Sequence, residues 1–371
     1  MIESKSRTAL HGLIDSLTEI DQRFLSEEWM MGSAEDVAEA TRAAMHLLQC
    51  GLVGWFEEDP EHPSFRRIVT PTRKFMGDNA DAVYYEAPIR PGLRYRVRGN
   101  ISGAVYVSLT IEGGSSDGTF GGQTCGVIND TEFDTAADGS FEIYFGGEKR
   151  DRNWLPIAPE GHRLTTRHYF EEEECRAAST IPGVELAIEV LDKVGPPAPY
   201  NDESVAAGLD KVRNLLHSRT LGMGVPGTRD QPPFVSSTPN EFVQPIKPGQ
   251  FALAAADAAY SMSMCMLQPD EALVMTGRWP DCRCANISLW NRHMQTFDYA
   301  NRGVSLNRKQ TKLEDDGSFR MIIAHQDPGV SNWIDTEGRG FSMVFWRFML
   351  PSGEIETPQA KVVPFAEIAA K

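Results

Sequence analysis

The spacing of hydrophobic and polar positions changes twice along the chain. From Ser33, the stretch SAEDVAEATRAAMHLLQCG places Val37, Ala40, Ala44, Leu47 and Leu48 on one helical face. Ser33 with Asp36 three residues later is a capping-box variant, and Gly51 stands where a helix end takes a left-handed residue. Residues 1–52 therefore read as helical. After EEDPEHPSF the period falls to two. In LRYRVRGN, Tyr95 and Val97 face one way while Arg94, Arg96 and Arg98 face the other. In AVYVSLTI, Val105, Val107, Leu109 and Ile111 share a side, and SFEIYFGG, HRLTTRHYF and VELAIEVL continue the alternation. Short strands and turns without helices between them predict an antiparallel sandwich. VGPPAPY at 194–200 interrupts the sheet, and a helix is predicted near 202–218. The Pro/Gly-rich stretch that follows is long for irregular chain in a compact domain, and reads as a linker or a functional cover. Strand texture resumes near 251 and runs nearly to the end.

The strand-rich stretches repeat. DGSF at 138–141 precedes NW at 153–154, and DGSF at 316–319 precedes NW at 332–333. Starting the copies at Asp81 and Asp257 aligns Gly99 with Gly277, Leu109 with Leu289, Asp138 with Asp316, Trp154 with Trp333, and Arg167 with Arg347. One supersecondary unit occurs twice. The predicted fold is mainly β: two related antiparallel, jelly-roll-like β-sandwiches with an N-terminal helical segment. The boundaries are 1–74 for the helical segment, 75–195 for the first sandwich, 196–250 for a helix and Pro/Gly-rich connector, and 251–371 for the second sandwich. Asp-Gly supplies the positive φ of a tight hairpin. The Trp of NW is expected in the sandwich core with its N–H satisfied. Arg167 and Arg347, placed on terminal strands, are expected to staple a carboxylate or carbonyl. The duplication also gives a filter: polar residues present in both copies serve the fold, and polar residues present in one copy are candidates for function.

Charge and cysteine content narrow the function classes. The 371 residues carry a net charge of −16. The only basic runs are short, RYRVR at 94–98 and EKRDR at 148–152. Nucleic acid and anionic membrane surfaces are disfavoured as partners. The N-terminus lacks a signal-peptide pattern, and no run of about 18 apolar residues is present to span a bilayer. Six irregularly spaced cysteines fit reduced thiols, so the expected location is cytoplasmic.

GDNADAVYYEAPIRPGLRYRVRG, the repeated DGSF and RNWLPIAPEGHRLTTRHYF resemble the family called domain of unknown function 1214. DPGVSNWIDTEGRG followed by FWRF is similar to the same family's C-terminal signature. The resemblance covers about 75–350. The family's NWLP is kept at 153–156, whereas the second copy reads NWID, so Asp335 departs from it. The resemblance implies soluble bacterial β-sandwich proteins without an agreed activity, associated with lipid, steroid or aromatic catabolism.

Familiar catalytic signatures are absent: there is no H-E-x-x-H, no P-loop and no G-x-S-x-G. GGSSDGTFGG at 113–122 lacks the Lys-Ser/Thr of a phosphate loop and reads as a strand connection. Cys282, Cys284 and His293 lack a fourth partner, so no metal and no cofactor are expected. SMSMCML at 261–267 sets Met262, Met264 and Met266 on one strand face, as core filler or the wall of an apolar pocket. The polar residues found in one copy cluster in the second. His325, at a strand end, is the candidate acid or base, with Asp327 or Asp335 to orient it. Arg302 and Tyr299 are candidates to bind a substrate oxygen, beside Trp290 and Met264. The predicted function is an enzyme acting on a small, largely apolar molecule (lipid, steroid, terpenoid or aromatic) by hydrolysis, hydration or elimination. Its pocket would lie between the sandwiches under the 219–250 segment. The alternative is a non-catalytic binding or carrier protein. A homo-oligomer is compatible with either.

Overall fold

A computed structural model describes residues 2–114, 116–120, 123–228, 230–248, 255 and 257–369. The N-terminal segment forms α1 (Lys5–Glu19) and α2 (Ala34–Gly54), and the connector supplies α3 (Asp202–Arg219), which packs on both. Ser33 caps α2 as read, its Oγ accepting from Asp36 N at 3.1 Å, and Asp36 accepts in return from Gly32 N at 3.0 Å. Gly51 does not end the helix. It lies against α3, where a Cβ would sit 3.1 Å from Val212 Cγ1. The glycine is a close-packing residue, and the helix runs on to Gly54.

The first half contains β1 (Arg66–Arg67), β2 (Ala82–Pro88), β3 (Tyr95–Asn100), β4 (Tyr106–Gly113), β5 (Thr124–Asn129), β6 (Ser140–Phe145), β7 (Trp154–Leu155), β8 (Gly161–Tyr169) and β9 (Leu186–Val190). They form two sheets, ordered β1-β2-β8-β4-β5 and β7-β6-β3-β9. The second half contains β10 (Ala258–Met266), β11 (Glu271–Gly277), β12 (Cys284–Trp290), β13 (Ser305–Asn307), β14 (Phe319–Ala324), β15 (Trp333–Asp335), β16 (Phe341–Met349) and β17 (Gln359–Pro364). Their sheets are β10-β16-β12-β13 and β15-β14-β11-β17. Apart from β1, the two orders are the same order.

Alternation along the strands builds each core. Val107, Leu109, Ile111 and Leu164 of one sheet and Tyr95, Val97, Phe141 and Ile143 of the other are all buried. In the second half Ile287, Leu289, Val344 and Trp346 stand with Leu273, Met275, Met321 and Ile323. Each such side chain contributes on the order of 2 kcal/mol.

Strand register makes the duplication residue-specific. Tyr84 lies opposite Arg167, and Tyr260 opposite Arg347; Ser108 pairs with Arg167, and Asn286 with Arg347. This corrects the alignment in one place, because the counterpart of Leu109 is Ile287, two residues before Leu289. Gly139 and Gly317 both have φ of 82°. Asp138 and Asp316 accept from the N–H of Ser140 and Ser318 at 3.0 and 2.9 Å. Asn153 and Asn332, at φ of 53° and 61°, each clamp one strand and one loop backbone through their amides. Trp154 and Trp333 donate to Gly146 O and Ala324 O at 2.9 and 3.1 Å, but both are half-buried at the parallel pairs β6–β7 and β14–β15 and not in the core centre. Arg167 and Arg347 lie on β8 and β16, which are interior strands and not terminal ones.

The outer faces of the two larger sheets meet, with Ala82, Tyr106 and Tyr169 packing with Ala258, Tyr260 and Met349. The contact is reciprocal. Asp81 accepts from Asn307 Nδ2 at 2.9 Å, and Asp257 accepts from Asn129 Nδ2 at 2.9 Å. Asp81 and Asp257 are counterparts, as are Asn129 and Asn307, so the halves exchange the same bond across a pseudo-two-fold axis.

Candidate functional site

On the outer face of the first large sheet, every second residue is polar. Tyr84 and Glu86 come from β2, Thr110 and Glu112 from β4, and Arg163, Thr165 and Arg167 from β8. Strands buried on both faces are ordinarily apolar, so this face calls for a reason. It forms the floor of a cavity of about 80 Å³. The roof is apolar: Cys50 and Trp55 at the end of α2, Ile68, Val69, Phe75 and Met76 from the following loop, and Phe120 from the β4–β5 connection.

The floor is a network of buried ion pairs. Arg167 donates to Thr110 Oγ1 at 2.6 Å and to Glu112 Oε1 at 3.1 Å, and Thr165 Oγ1 donates to the same carboxylate oxygen at 2.8 Å. Arg163 pairs with Glu58, lies 3.4 Å from Glu86 Oε2, donates to Gly54 O at 3.2 Å, and stacks 3.7 Å from the Trp55 ring. Lys211 holds the other oxygen of Glu58 at 2.7 Å. Glu86 has the weakest ionic support of the three carboxylates. Burial raises its pKa, with Arg163 opposing. Burial likewise raises Tyr84. A Cβ at Gly54 would overlap Glu86 Oε1, so the helix end approaches this carboxyl because it is glycine.

The second half reaches the cavity from behind. Asp78, which lines the wall, accepts from Thr296 N at 2.8 Å and lies 3.9 Å from Lys74 Nζ. Burial raises the Asp78 pKa and pulls Lys74 down to about 8.

Position by position, the corresponding face of the second half is apolar. Register puts Met262 where the first half has Glu86, Trp290 for Glu112, Met343 for Arg163 and Phe345 for Thr165. Trp290 stacks on Phe345 with ring centroids 4.2 Å apart. The space that is a cavity in one half is filled by side chains in the other.

The residues singled out in sequence fall elsewhere. His325 is half-buried at the end of β14, with Nδ1 2.6 Å from Thr336 Oγ1. Asp327 is exposed and accepts from Gly329 N at 2.8 Å, a turn contact. Asp335 is buried and joins Arg302 at 2.7 Å, so these two are brought together. Met264 is half-buried on β10 opposite Met343. Trp290 donates to Asp78 O at 2.9 Å, and the Tyr299 ring lies 3.3 Å under Lys74 Nζ. These last two therefore support the cavity wall without lining it. The described residues of the connector do not roof this cavity. Phe234 and Ser236 bond the backbone of Met262, and Ile246 bonds Tyr260, so the segment runs along the outer edge of β10. Sequence reasoning missed Glu86, Glu112, Arg163 and Thr165. The signal was the one-copy filter applied to the first copy's outward strand positions.

The architecture is that of a duplicated antiparallel β-sandwich protein with a helical layer over its first half. Residues 108–173 and 286–352 both match the family described as protein of unknown function, DUF1214, so the chain carries two stretches similar to that family. The matched stretches begin at Ser108 and Asn286, which the strand register also makes counterparts. An uncharacterised protein from Burkholderia cenocepacia has a similar solved structure: 26% identity, 98% of this chain and 99% of that chain covered, TM-score 0.84. A Vibrio parahaemolyticus protein is similar at 12% identity over 87% of this chain and 98% of its own, with a TM-score of 0.48. Comparison with curated proteins finds no match. No helix among the described residues is long and apolar enough to cross a membrane.

Proposed function

We propose that the protein takes a small, largely apolar molecule into the cavity over its first large sheet, and that Glu86 exchanges a proton with it. The observation carrying this reading is the one-sided polarity of the duplicated sheet. Buried, convergent acid–base groups lie under an apolar roof in the first half, and apolar side chains occupy the same positions in the second. Maintaining buried Glu86, Glu112, Arg163 and Arg167 is costly for stability alone, since apolar packing does the same structural work. Raised carboxyl pKa values in a cleft are a mark of acid–base sites.

The ion pairs leave the floor close to neutral in sum, which favours an uncharged ligand with one oxygen for Glu86 or Tyr84 to meet. The volume is roughly half that of the ~150 Å³ cavity that admits benzene. It suits a molecule of a few heavy atoms, while a steroid would require the roof to move. Hydration, elimination or hydrolysis fits this inventory. A binding role without turnover is the second reading, favoured by the fact that Glu112 and Arg167 are mutually satisfied and present no nucleophile.

The test is a thermal-shift screen of small alcohols, ketones, esters and aromatics on wild type, Glu86→Gln and Thr165→Phe. Thr165→Phe installs the residue that fills this position in the second half. Ligands should stabilise wild type, lose their effect in Thr165→Phe, and bind Glu86→Gln without being converted. Hits that stabilise Thr165→Phe as well as wild type would place the ligand elsewhere.

A further inference from the structure

We propose that the guanidinium of Arg347 is a binding site for one small anion, of halide size, at the junction of the two halves. Arg347 is 5% exposed. Its Nη2 donates to Gly77 O at 3.4 Å, and among the described residues Nε and Nη1 have no hydrogen-bond partner. Its counterpart Arg167 is charge-paired with Glu112. The duplication shows where that counter-ion went: the position of Glu112 is held by Trp290 in the second half, and that of Thr110 by Ser288. The arginine has been kept and its carboxylate partner lost.

Apart from the Tyr260 hydroxyl, the cation faces aromatic rings and carboxylates already engaged by other donors. Phe345, Tyr260 and Tyr169 present rings at 4.9, 5.6 and 5.9 Å from the guanidinium carbon. Asp81 and Glu171 line the same small cavity, but their oxygens are committed, to Asn286 and Asn307 and to Arg308 and Ala285 N respectively. Asp78 is committed to Thr296 and Lys74. Burial pulls the Arg347 pKa down, the tyrosine oxygens outweigh it, and the group stays charged. The cavity measures about 10 Å³, close to one water-sized sphere. An anion accepting from Nε and Nη1 there would satisfy both donors and neutralise a buried charge. The size favours a single small ion over phosphate or sulfate.

The experiment has two arms at constant ionic strength. The first measures thermal unfolding of wild type and Arg347→Met in chloride or bromide, against sulfate. Wild type should be stabilised by halide with one-site saturation, raising Tm by several degrees, and Arg347→Met should lose the halide-specific part. The second, which needs no variant, is the anomalous difference map of wild-type crystals grown in bromide. A bromide peak within hydrogen-bond distance of Nε and Nη1 is expected. Halide-independent unfolding with no bromide peak would overturn the proposal and leave a water in the cavity. Halide stabilisation that persists in Arg347→Met would overturn it as well, by placing the ion at another site.

Discussion

Arg167 and Arg347 began as a matched pair of staples, and their surroundings separate them. Arg167→Ala strands Glu112 without its cation in a buried sheet face, and the cost should be about 3–5 kcal/mol. Arg347→Ala strands no carboxylate and should cost clearly less. His325→Ala removes one bond to Thr336 from a half-buried ring and should cost about 1 kcal/mol. Urea unfolding of the three variants checks this order. Equal losses for the two arginines would mean that the Glu112 pair adds nothing. Sequence could tell that an arginine recurs at both positions. It could not tell that one partner had become Trp290, because that depends on which residue lies across the strand, and the alignment near Leu109 was two residues out.

At the scale of the element, alternation was enough to place β3, β4, β6, β8 and β9. Tyr95, Val97, Val107, Leu109 and Ile111 point inward as read, because period-two patterns leave a strand one choice of face. Ends and special positions were less legible. Gly51 has the sequence of a helix stop, but its neighbour Val212 is distant in the chain and decides otherwise. The Asn of NW carries more than was read from it. Asn153 and Asn332 hold left-handed backbone and donate across to Glu142 O and Arg320 O, both at 2.9 Å. Replacing either by Ala should cost roughly 1–3 kcal/mol, through the backbone strain and the freed carbonyl. Replacing it by Gly should recover the strain share. The two sites should behave alike in denaturant melts. Ala as stable as Gly at both would remove the left-handed backbone from the account.

For the whole molecule, the duplication was legible, whereas the cavity over the first sheet was not, because nothing in the chain's order reveals that α2 and the 68–78 loop fold back over that sheet. The axis relating the halves carries a titratable group of its own. Asp81, buried between them, is pushed up to about 6 by burial, against the bonds from Asn307 and Asn286. Its folded pKa exceeds the ordinary value of 3.8, so the stability it contributes is fully present below pH 3.8 and is lost as pH rises through 6. The stability of wild type relative to Asp81→Asn should therefore fall by on the order of 3 kcal/mol between pH 4 and 7. A flat or rising difference would show that the carboxyl is ionised throughout.

Crystals soaked with the small neutral ligands that stabilise the protein test whether the working cavity lies under α2 on the first sheet. Ligand density is expected between Trp55 and the Glu86–Arg163 pair, with the apolar face of the second half unoccupied. Density beside His325 and Asp335, with the cavity over the first sheet empty, would contradict it.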